Sequence, residues 1–230
     1  IGADRNICRL ALFLSFFPQI VEGPICRYSQ TAGQLWEAKP IAWENLVFGL
    51  QRIGYGLMKK LVVADRLNAF IEEVFSNHTA YQGGVIAIAA VCYTIQLYMD
   101  FSGAMDAVTG ISQIFGITMP ENFRHPFFSK TVSEFWTRWH ISLGSFFKDY
   151  IFYPVSMSKP VNKLVSTVKK KAGHYWATVL SAGIAFFCVW FCNGLWHGAS
   201  WSYIFFGMYH FALIMTERLT APQAKWFHNT

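Results

Sequence analysis

Two histidines stand out for their surroundings. His197 lies in Gly194-Leu195-Trp196-His197-Gly198-Ala199, near the middle of a 45-residue stretch, Ala172 to Thr216, without Asp, Glu, Lys or Arg. A neutral imidazole is a general base near pH 7. The flanking glycines permit a helix break and the close approach of a substrate. The residues alone also admit a plainer reading, an imidazole packed between helices and hydrogen-bonded to a carbonyl. His140, in Arg138-Trp139-His140, is the second candidate. Its plainer reading is an interfacial histidine among aromatic rings.

The other polar groups in apolar segments point elsewhere. Asp100 and Asp106 read as helix-to-helix anchors or as part of a polar cavity. Glu134 and Arg138 stand at i,i+4 and can pair. His78, His125, His174 and His228 fall in connectors or at ends, and His210 stays open between core and site. Cys188 and Cys192 are one helical turn apart near His197, but the spacing is not C-x-x-C and a fourth ligand is missing, so no metal is expected. The five cysteines are odd in number and mostly in apolar stretches, which argues against a disulfide framework. There is no G-x-S-x-G elbow, no phosphate-binding glycine loop and no H-E-x-x-H.

The elements that must hold these residues follow from composition. Charged residues are 14% of the 230, against about 25% in ordinary soluble domains. Aromatics are 18% and hydrophobics 53%, which excludes disorder and a collagen-like chain. The charge-free stretches, Val74 to Met99 with 26 residues and Ala172 to Thr216 with 45, suit one and two spans of about 20 residues each. The class expected is all-α, a polytopic membrane helix bundle. Of the net charge of +6, residues Lys148 to Lys171 carry +5. This concentration reads as a basic cytoplasmic loop touching anionic headgroups, not as a nucleic-acid surface.

Along the chain, Pro18 interrupts an apolar run at about 7–22, and residues 41–75 read as a helix facing protein or the interface. Residues 84–101 read as a span, separated by Ser102-Gly103 from a second helical stretch at 104–117. Residues 131–150 read as one amphipathic or re-entrant helix, whose stripe is Val132, Phe135, Trp136, Trp139, Leu143, Phe146, Phe147 and Tyr150. The last two spans are placed at 174–193 and 201–217. The chain begins at Ile1 and breaks off after Thr230. It therefore reads as an excerpt, residues 1–230 being the core of one transmembrane domain without its N- and C-terminal spans.

Several motifs in order carry a resemblance. They are Phe17-Pro18-Gln19 with Gly23-Pro24-Ile25; Tyr98-Met99-Asp100-Phe101-Ser102-Gly103; Pro120-Glu121-Asn122-Phe123; Glu134-Phe135-Trp136-Thr137-Arg138-Trp139-His140-Ile141-Ser142-Leu143; Lys148-Asp149-Tyr150-Ile151-Phe152-Tyr153-Pro154; and Gly194-Leu195-Trp196-His197-Gly198-Ala199. Together they resemble the membrane-bound O-acyltransferase (MBOAT) family, most of all its bacterial branch of alginate O-acetyltransferase and teichoic-acid D-alanyl transfer proteins. The resemblance implies a multi-helix bundle with a tunnel, His197 as the essential histidine and His140 as the second. One departure is Val155-Ser156-Met157-Ser158-Lys159, where relatives often carry a Gly-Gly-Asn/Ser-Arg turn on the donor side.

The activity this implies is O-acyl transfer, with acetyl-CoA or another acyl thioester as co-substrate and no bound cofactor. The donor is a coenzyme or a carrier protein on the cytoplasmic side of a bacterial inner membrane. The acceptor is a hydroxyl on a cell-envelope polysaccharide, as in alginate biosynthesis, or on an extracytoplasmic transferase. Membrane lipid is the remaining partner. The alternatives are D-alanyl transfer to teichoic acid, a transporter or channel, and a scaffold that only recruits a transferase.

Overall fold

The computed structural model describes residues 4–20 and 22–228. It is 81% helical, and the described residues include no strand. The all-α expectation holds. The chain divides into two compact units, Ile1–Asn122 and Phe123–Thr230.

In the first unit, α1 (Ile7–Leu14) starts at Asn6, whose side chain accepts from the Cys8 and Arg9 N–H groups. It gives way to the short α2 (Phe17–Ile20). Pro18 lies in the first turn of α2, where a missing N–H removes no hydrogen bond, so the expected break falls just before the proline. α3 (Tyr28–Glu37) follows. Phe16, Leu35, Ile117 and Met119 form a buried cluster with Phe13, Cys26 and Val108 beside it. It ties the first helices to the chain that follows α6.

α4 (Trp43–Leu57) runs through a π-helical segment, Met58–Ala64, into α5 (Asp65–Ser76). This is the helix expected over 41–75. α6 (Gly83–Ile114) is one 32-residue helix, so the break expected at Ser102-Gly103 does not occur. The reason is packing. A Cβ on Gly103 would lie 2.7 Å from the Gly56 carbonyl oxygen, and one on Gly110 would lie 2.7 Å from that of Gly49. The two glycine pairs let α4 and α6 meet backbone to backbone, an approach typical of helices packed in membranes.

In the second unit, α7 (Val132–Arg138) and α8 (Ile141–Phe147) replace the single amphipathic helix expected over 131–150. Trp139 is extended and bridged to Phe123, and Arg124 N–H donates to the Arg138 carbonyl at 3.0 Å. That pairing stops α7 and breaks the predicted apolar stripe. A π-helical turn, Lys148–Phe152, leads into α9 (Tyr153–Ser156).

The expected basic loop is largely helical, α10 (Lys159–Ala172). Pro160 suits its first turn, and Lys169, Lys170 and Lys171 face the negative end of its dipole. α11 (His174–His197) continues through the motif expected as a connector, and α12 (Trp201–His228) is helical over the last expected span, 201–217, but is not among the described helices apolar enough to cross a membrane.

Among the described residues, α6 and α11 are long and apolar enough to cross a membrane. Only 6% of the apolar window of α6 is buried. Ile88, Val91, Ile95 and Leu97 are exposed, as lipid contact or further protein would require.

Candidate active site

Both candidate histidines lie where a helix is interrupted. His140 joins α7 to α8 in the left-handed region, φ 46° and ψ 54°. A non-glycine residue there is strained by roughly 1–2 kcal/mol, and such strain gathers at functional positions. The conformation is held on both sides. The Phe123 bridge fixes Trp139, and the His140 carbonyl accepts from Gly144 N–H at 3.1 Å. Trp139 packs against Phe123, Phe127 and Phe135, with ring centroids 5.1, 6.2 and 5.6 Å away.

The start of α7 is also fixed. Thr131 caps it by accepting from Glu134 N–H at 3.0 Å. Glu134 accepts from Lys130 N–H at 2.7 Å and pairs with Arg138, as its spacing predicted. The Lys130 N–H, and more weakly Arg138, hold its carboxyl below the usual range against the opposing effect of burial.

His197 is the last residue of α11. Gly198, at φ 151° and ψ 156°, ends the helix. A Cβ on Gly194 would lie 2.6 Å from the Tyr203 carbonyl oxygen, and one on Gly198 would lie 2.8 Å from the Tyr203 ring. The glycines of the motif therefore let α12 fold back onto the end of α11. The His197 ring stacks on Tyr203 at 6.1 Å and meets Phe206 edge-on at 5.9 Å.

The two imidazoles share one electrostatic neighbourhood. Burial first, and then the charge of His197, push His140 down from the ordinary value to about 4. His140 is therefore neutral at physiological pH and can donate one N–H. Both histidines lie in the second unit, and the charge of His197 reaches His140. Asp100 and Asp106 lie in the first unit and act as anchors there. Asp100 pairs with Lys60 at 2.6 Å, and Asp106 pairs with Arg52 and Lys59 at 3.0 and 2.6 Å. All five cysteines are free thiols.

His210, left open by the sequence, belongs to the same neighbourhood. Its ring centroid is 4.6 Å from Phe206, 4.8 Å from Trp136 and 5.4 Å from Trp190. Phe206 and His210 are one turn apart on α12 inside the charge-free stretch. Only the packing of α7 and α11 against α12 adds Trp136 and Trp190.

The family model for MBOAT, the membrane-bound O-acyltransferases, matches residues 3–169. The chain belongs to this family. The matched range holds His140, while His197 lies beyond it. Longer similarity to curated relatives reaches further along this MBOAT chain. A peptidoglycan O-acetyltransferase of Helicobacter pylori is 32% identical over 96% of the chain, which spans 39% of that relative. A probable alginate O-acetylase of Azotobacter vinelandii is 30% identical over 94% of the chain, or 40% of its own length. A teichoic acid D-alanyltransferase of Bacillus subtilis is 33% identical over 90% of the chain and 50% of its own length. The chain thus spans half or less of each of these relatives.

Proposed function

We propose that the protein is a membrane-embedded O-acyltransferase that moves an acetyl group from a cytoplasmic thioester to a hydroxyl on the outer side of a bacterial inner membrane. The observation that carries this reading is the placement of His140 and His197 at two helix breaks that share one electrostatic neighbourhood. Family membership and the names of the three relatives support the reaction class.

In this mechanism His197 takes the proton of the acceptor hydroxyl while its oxygen attacks the thioester carbonyl. The neutral His140 donates an N–H to the carbonyl oxygen as it becomes an oxyanion. Collapse breaks the C–S bond, and the departing sulfur takes the proton back from His197. The products are an ester and a free thiol. The donor is acetyl-CoA or an acylated carrier protein, approaching from the side that carries α10 with its lysines. The acceptor is a cell-envelope polysaccharide or an extracytoplasmic transferase that passes the group on.

The test is His197→Ala in the full-length protein, with envelope ester content measured. Loss of ester in a normally expressed variant is expected, and unchanged ester would overturn the catalytic role. The B. subtilis relative favours a second reading, D-alanyl transfer to teichoic acid. Labelled acetate and labelled D-alanine, supplied in parallel, separate the two by which label enters the envelope.

A further inference from the structure

The aromatic cage around His210 contains two buried polar atoms that the catalytic scheme leaves unused. Trp136 Nε1 and His210 Nδ1 are both shielded from solvent and have no hydrogen-bond partner among the described residues. A buried polar group left unpaired costs about 1–3 kcal/mol. Two of them on adjacent rings therefore need an explanation.

The cage stands beside the proposed base. Phe206 is its shared wall, 5.9 Å from the His197 ring on one side and 4.6 Å from His210 on the other. Trp136 reaches Phe206 at 6.3 Å and Trp190 at 4.7 Å. Trp136 sits on α7, the helix that ends at the strained His140 connection.

The atom types narrow what fits. An indole N–H only donates, and a ring nitrogen of neutral histidine can accept. A hydroxyl answers both, taking the indole proton on a lone pair and giving its own to the imidazole. The rings that meet His210 are Trp136, Trp190, Phe206 and Tyr209, all uncharged. Such a cage offers no countercharge for the phosphates of a coenzyme or of a carrier's prosthetic arm. It suits a neutral alcohol.

We infer that Trp136 and His210 bind a hydroxyl of the acceptor and position the acceptor for attack, as positioning residues separate from the base His197. This inference rests on the acyl-transfer reading and assigns the acceptor side of it. Trp136→Phe removes the N–H and keeps an aromatic ring, and His210→Asn keeps a hydrogen-bonding side chain where His210→Ala does not.

The full-length protein in lipid nanodiscs is assayed with acetyl-CoA as donor and cellotetraose as acceptor probe, beside His197→Ala. Trp136→Phe and His210→Ala are expected to raise the acceptor KM about tenfold, with the donor KM unchanged. His210→Asn is expected to recover part of the loss. Unchanged acceptor KM in Trp136→Phe overturns the inference, as does a fall in melting temperature that lowers every kinetic constant together. Activity retained by His197→Ala sinks the base assignment instead, so the two failures are distinguishable.

Discussion

Lys59 Nζ lies 2.6 Å from Asp106 Oδ2, on a lysine that is almost wholly buried. The other oxygen of Asp106 accepts from Arg52 Nε and Nη2 at 3.1 and 3.0 Å. Arg52 also forms a two-pronged pair with Glu121, at 2.7 and 2.6 Å. These charges fix α4 and the π-helical segment to α6. Arg52 keeps Glu121 when Asp106 is removed, but the buried Lys59 loses its carboxylate partner, at about 3–5 kcal/mol. Asp106→Ala is expected to lower the thermal midpoint of the full-length protein sharply, and Lys59→Met with Asp106→Leu to restore much of it. Melting curves in detergent check both.

The glycine seam around this network makes its own prediction. A Cβ on Gly56 would run into the Gly103 carbonyl oxygen and approach the Ala107 nitrogen to 2.9 Å. Those atoms are backbone and cannot turn aside. Gly56→Ala is expected to destabilise by about 1–3 kcal/mol, whereas Gly54→Ala, with nothing within 4 Å, is expected to be neutral or better. Comparing the two melting temperatures tests the close approach.

How much of this was legible depends on how local the cause is. The helices over 41–75 and the two long apolar stretches follow from composition and spacing. Ser102-Gly103 misled because a glycine between apolar runs looks like a break, while Gly56, 47 positions earlier in the chain, makes it a contact. The break at His140 was hidden for the same reason: the Phe123 bridge that stops α7 leaves no local mark. The lysines of α10 suggested a loop, although its valines and Leu164 recur at helical spacing. Both histidines were visible in their motifs. The place of His210 was not, since two of its walls come from other helices.

The backbone at His140 predicts which replacements keep the fold. Asparagine enters the left-handed region more readily than alanine. His140→Asn is expected to match the wild type in stability at pH 7 while losing transfer activity, and His140→Ala to lose both. Parallel melting and turnover measurements separate backbone strain from imidazole chemistry.

Acid exposes the same residue. Its pKa is about 4 in the fold and about 6.5 when unfolded, so between those values the unfolded chain binds the extra proton. Stability is then present above about pH 6.5 and falls as pH drops toward 4, by up to roughly 3 kcal/mol. His140→Asn removes that proton site, so its stability is expected to fall less over the same interval. Melting temperatures of both proteins at pH 7 and pH 4.5 decide it, and an equal drop in the two would mean that His140 is not the group that takes up the proton.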